Sequence, residues 1–152
     1  MAYTTAEGRE KVLDDLAVAI EHIAQALASL GEAYEQLDEH NADVLEERLF
    51  RPVQGAYGRG QRTHSEFASR SSLRARTFDA HSPGSQAQSV RELIERAAQE
   101  AEDADQAIAE LQDSMLPVEV GDQELRAGLS QVRELLAPVP AGARELVRTV
   151  GR

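Results

Sequence analysis

The chain's four histidines, His22, His40, His64 and His81, are its natural candidates for metal binding or for proton transfer near neutral pH. A di-iron or di-manganese helical site needs a glutamate three residues ahead of a histidine, because one helical turn then brings both ligands to the same ion. Ala19, Leu37, Gln61 and Phe78 occupy those positions, so the signature is missing. No histidine has a second histidine or a carboxylate four residues away, which removes the two-ligand helical arrangement used for zinc. His40 and Asp43 come nearest, and they read as two solvated cap residues at a turn. With no cysteine in the chain, thiolate ligands, disulfides and cysteine nucleophiles are excluded. The Gly-x-x-x-x-Gly-Lys-Ser/Thr phosphate loop and the Gly-x-Ser-x-Gly nucleophile turn are missing as well. No metal and no cofactor is expected.

The arginines offer a different chemistry. Residues 48–76 hold seven arginines and one acid, whereas residues 1–47 hold twelve acids and two bases, and 77–113 nine acids and two bases. Arg48, Arg51, Arg59, Arg62, Arg70, Arg74 and Arg76 therefore form a candidate surface for contacting an anion or an acidic partner. The same residues could supply counter-charge to the acidic helices on either side, within the fold or across an oligomer contact. The net charge of −11 argues against a general nucleic-acid binder, because affinity for the polyanion comes from neutralising phosphates. DNA is excluded as a partner and RNA is not expected. Fifteen of the sixteen basic residues are arginine, and 24 residues are alanine; this usage suggests a GC-rich bacterial genome.

Two stretches, Arg59-Gly60-Gln61-Arg62-Thr63-His64 and Arg76-Thr77-Phe78-Asp79-Ala80-His81, place a histidine after an arginine and four intervening residues. This spacing is similar to the motif of the HEPN superfamily of helical ribonucleases. The resemblance implies metal-independent cleavage of RNA by Arg59 acting with His64. It covers the motif and not the chain as a whole.

The elements that must position these groups are helical. Apolar residues at Leu13, Leu16, Ile20, Ile23, Leu27, Leu30, Tyr34 and Leu37 alternate by three and four, the seam of a helix packed along its whole length. Thr4 with Glu7 forms a capping box, so a first helix runs from about Thr5 to about Asp38. A second, starting near Asn41, carries Leu45, Leu49, Val53, Gly60, His64 and Phe67, is interrupted by Pro52, and is weakened at Gly55, Gly58 and Gly60. A third follows the capping box of Ser89 and Glu92 and bears Val90, Ile94, Ala97, Ala101, Ala104, Ile108, Leu111 and Met115. The fourth begins after Asp122 and is expected to kink at Pro138 and Pro140.

These spacings predict an all-α, single-domain protein over residues 1–152. Two αα-hairpins, residues 5–70 and 89–150, make a four-helix bundle in up-down-up-down order, joined by a mobile loop over 70–87. The halves align at Leu49-Phe50-Arg51-Pro52-Val53 and Leu135-Leu136-Ala137-Pro138-Val139, as a helical hairpin repeat would. No apolar run suits a membrane, and the amino terminus lacks the features of a secretion signal, so a cytoplasmic location is expected.

The seams of the first, third and fourth helices carry no acid or base that burial could poise for catalysis. The primary expectation is thus a non-catalytic bundle acting through self-association, as a homodimer, or through a protein partner. Val12, Ala17, Val18 and Ala24 widen the apolar surface of the first helix in a way that favours the dimer. Besides the ribonuclease reading, a third reading is a sensor of small apolar ligands with a pocket beside Ala97, Ala101 and Ala104, whose small side chains otherwise allow close helix approach.

Overall fold

The computed structural model describes residues 5–79, 81–82 and 88–150, and among these it contains helices and no strand. Helix α1 spans Thr5–Gln36; the Thr4 cap expected for it lies outside the described residues. It stops two residues short of Asp38 because Asp38 begins the next helix. The Asp38 carboxylate accepts from the backbone of Asn41 at 3.4 Å and from its side chain at 2.7 Å, which starts α2, Glu39–Leu45. A π-helical turn at Glu46–Phe50 then leads into α3, Arg51–Arg70. Pro52 explains the wide turn. Its nitrogen cannot donate, its ring crowds the carbonyl four residues back, and the extra residue in the turn absorbs both effects without breaking the rod.

Ser89 and Glu92 cap α4, Val90–Asp113, with reciprocal hydrogen bonds of 3.1 Å. Met115, expected in the seam of this helix, is instead 52% exposed. The helix has already ended: Ser114 Oγ donates to the carbonyl of Leu111 at 2.6 Å, and Met115 takes a left-handed conformation with φ of 66°. A single turn, α5 (Leu116–Glu119), precedes α6 (Gln123–Leu136) and α7 (Val139–Val150). Asp122 caps α6 through the amide of Leu125 at 2.8 Å. Ala137 and Pro138 form the turn between α6 and α7, where proline was expected to interrupt the helix.

Side-chain contacts set the directions of the helices. Gly60 lies against Ile20 and His64 faces the Leu13 end of α1, so α3 runs antiparallel to α1. His22 meets Glu100, and Gln36 reaches the carbonyl of Gln88, so α4 also runs antiparallel to α1. Arg70 at the end of α3 binds Asp122 at the start of α6, reversing the direction again. The order is therefore up, down, down, up, not the expected alternation. After α3 the described part of the connection lies along α1, with Arg76 at Asp14 and His81 at Glu21, and α4 begins where Gln88 meets Gln36. The most extensive contact of α4 is with α1, and Ala97, Ala101 and Ala104 are buried. Val12, Ala17 and Ala24 are buried within this one chain, leaving Val18 at 51% exposure.

Candidate functional site

The most unusual polar group in the structure is His64, which follows from how α3 meets α1. A Cβ built on Gly60 would lie 3.2 Å from Ile20 Cγ1, so the absence of a side chain there lets the helices close, and His64 one turn later is pressed toward Leu13. Helix α3 ends in a Schellman motif. The amide of Leu73 donates to Ala68 at 2.8 Å and that of Ser72 to Ser69 at 3.2 Å, while Ser72 takes the positive φ of 57° that glycine usually occupies. This turn directs the following residues onto α1.

The segment expected to be a mobile loop is fastened there in its described part. Arg76 binds Asp14 at 2.7 Å and His81 binds Glu21 at 2.6 Å. Tyr57 donates to the carbonyl of Phe78 at 3.5 Å, and the Phe78 ring meets the His64 imidazole edge-on at 5.4 Å between centroids. Residues 80 and 83–87 of that expected loop lie outside the described residues.

Under this strap His64 is 1% exposed, and neither ring nitrogen makes a well-formed hydrogen bond to the protein, although the Leu13 backbone lies close enough to act on the ring. Burial holds its pKa below the usual histidine value, the Arg76 charge adds to that, and the Leu13 backbone and Asp14 oppose it. Burial thus favours the neutral imidazole. It lines a cleft of about 270 Å³ with Glu10, Leu13, Asp14, Leu73, Arg74 and Arg76.

Arg59 does not join His64. Five residues turn a helix by about 140°, and Arg59 accordingly donates to Gln131 of α6 at 2.6 Å while His64 faces α1. The other arginines of the basic segment are distributed. Arg48 pairs with Glu145 of α7. Arg70 binds Asp122 and, at 3.1 Å, Glu124. Arg51, Arg62 and Arg74 are exposed and form no ion pair among the described residues. Within the basic segment, Arg76 supplies counter-charge to the acidic α1 through Asp14, whereas Arg48 and Arg70 pair with acids of the last two helices instead.

A cluster outside any helical metal motif lies between α1 and α4. His22 Nδ1 is 2.8 Å from Glu100 Oε2, and Asp103 completes a group whose ligand atoms all fall within 4.8 Å of one another. The carboxylates are three residues apart on α4, but the histidine comes from another helix, so spacing around the histidine carries no signal.

A larger cleft of about 460 Å³ opens between α4 and α7, past Ala98, Pro140 and Val147. Ala98 and Ala143 stand in its wall, and Ala97, Ala101 and Ala104 do not. No helix among the described residues is long and apolar enough to cross a membrane. Comparison of the chain with protein-family models, with curated proteins and with solved structures gave no match.

Proposed function

We propose that the protein acts by binding rather than by catalysis, and that the cleft floored by His64 takes a small polar molecule carrying both signs of charge. In this reading α1, α2 with α3, α4, and α6 with α7 are the four arms of a helix bundle, and the strap over 73–79 completes its binding face. One observation carries it: a buried imidazole with no well-formed hydrogen bond from either nitrogen borders a cleft walled by both signs of charge. Leaving a buried polar atom unpaired costs about 1–3 kcal/mol, and such atoms in native proteins call for something that completes them. A neutral imidazole offers one donor and one acceptor.

The wall selects the occupant. Arg74 and Arg76 stand beside Glu10 and Asp14, so a polyanion such as RNA gains no net attraction. A zwitterion of amino-acid size finds both signs within reach, and Leu13 and Leu73 offer a surface to its apolar part. Catalysis is disfavoured by the same groups. Burial draws the His64 pKa down, which makes it a weaker base, and Arg59 points elsewhere.

Amide and imidazole NMR spectra, recorded while pools of amino acids and related zwitterions are added at millimolar concentration, test the reading. Saturable shifts at Leu13, His64 and Leu73 that disappear in Arg74→Ala are expected; no saturable shift with any pool overturns it. Incubation of RNA without divalent metal is expected to leave it intact. Cleavage by the wild type that is lost in His64→Ala would favour the ribonuclease instead.

A further inference from the structure

We propose that His22, Glu100 and Asp103 bind one divalent transition-metal ion across the interface of α1 and α4. The ligand atoms already converge to within 4.8 Å of one another, and they come from helices joined by the most extensive contact in the molecule. Backbone positions are thereby fixed, and only side-chain rotation is needed to close the group around an ion.

The surroundings orient the ligands. Gln99 donates to Asp103 Oδ1 at 3.0 Å, and Gln25, with its amide nitrogen turned toward Glu100, donates to the two carboxylate oxygens at 3.1 and 3.3 Å. Hydrogen bonds of this kind to ligating carboxylates tune metal affinity. Burial is intermediate at all three residues, so water can reach the open coordination positions.

The donor set selects the ion. One imidazole nitrogen with two carboxylates suits zinc and its first-row neighbours, whereas magnesium and calcium prefer an all-oxygen shell. Three protein ligands leave at least one position for water. The bound ion would hold α1 to α4 and so stabilise the fold by mass action.

Titration of the full chain with Zn²⁺, followed by calorimetry and by imidazole NMR, tests the site, with Mg²⁺ as comparison. One saturable Zn²⁺ site is expected, with the His22 ring resonances shifting and the thermal midpoint rising, and no matching response to Mg²⁺. His22→Ala should abolish it, and Gln99→Ala should weaken it by about tenfold. Asp103→Asn keeps the size of the side chain and should also lose the site while the helical circular dichroism is unchanged. No saturable Zn²⁺ binding overturns the proposal, as does binding that is equally tight in His22→Ala, Asp103→Asn and the wild type. The site shares no residue with the His64 cleft, so each proposal can fail alone.

Discussion

Arg70 holds Asp122 through two hydrogen bonds of 2.8 Å, one from Nε and one from Nη2, and the same carboxylate caps α6 through the amide of Leu125. One acid thus starts a helix and fastens the end of α3 to it. Asp122→Ala removes both roles and is expected to cost about 1–2 kcal/mol, read from urea unfolding. The Arg70 guanidinium holds the Asp122 pKa below the ordinary aspartate value of 3.8. Its contribution is therefore complete above that pH and is lost as pH falls through the lowered pKa. The variant should show a shallower decline in stability on strong acidification, and an unchanged acid profile would contradict this.

His64 provides a second acid-side test, nearer neutrality. Its folded pKa lies below the ordinary 6.5, so the unfolded chain binds more protons in the window just beneath that value. The contribution is full above about pH 6.5 and falls as pH drops. His64→Phe removes both unpaired nitrogens while keeping a planar ring beside Phe78. Stabilisation by about 1 kcal/mol is expected, with a smaller loss between pH 7 and 5 than the wild type shows. Parallel curves for the two proteins would refute the assignment.

Two glycines separate helix propensity from close packing. A Cβ on Gly58 would meet nothing within 4 Å, and Gly58→Ala should raise stability by about 0.5–1 kcal/mol. A Cβ on Gly128 would run into the side chain of Thr63, whose hydroxyl already donates to the carbonyl of Arg59 at 2.8 Å. Gly128→Ala should destabilise despite the better propensity, by about 1–3 kcal/mol for an overpacked contact. Thermal unfolding of the two variants should shift in opposite directions.

Mass in solution tests the association expected from the sequence. Val12, Ala17 and Ala24, three of the four residues that suggested a dimer, are buried within the chain itself. The remaining large exposed apolar groups on α1, Val18 and Tyr34, are sixteen residues apart, about 24 Å along a helix. Light scattering at tens of micromolar is expected to give the single-chain mass of 16.6 kDa, and twice that value would restore the dimer.

What could be read from the sequence was local. Capping at Ser89 and Asp122 involves partners three residues away, and the helical seams repeat within a few turns, so both are visible in the order of residues. His64 falls in the apolar register of the second helix with Gly60 and Phe67, so its burial was legible. Its lack of partners was not, because its surroundings include Leu13 of α1 and Phe78 of the strap. The Arg59 to His64 spacing read as a pair because it ignored the angle between the two side chains on the helix. His22 and Glu100, 78 residues apart, left no mark at short range. Helix direction was hidden for a related reason: a seam states which face is buried but not which way the neighbour runs.

The strap along α1 also bears on how fast the chain folds. Since α1 makes its most extensive contact with α4, that interface joins residues far apart in the sequence, 52 positions for Gln36 and Gln88 and 78 for His22 and Glu100. Folding rates fall as mean sequence separation rises, because closure entropy is lost before distant contacts form. This protein is expected to refold more slowly than bundles whose helices pack in sequence order, and a fragment ending at Arg70 is expected to stay largely unfolded, with the α4-facing side of α1 left in water.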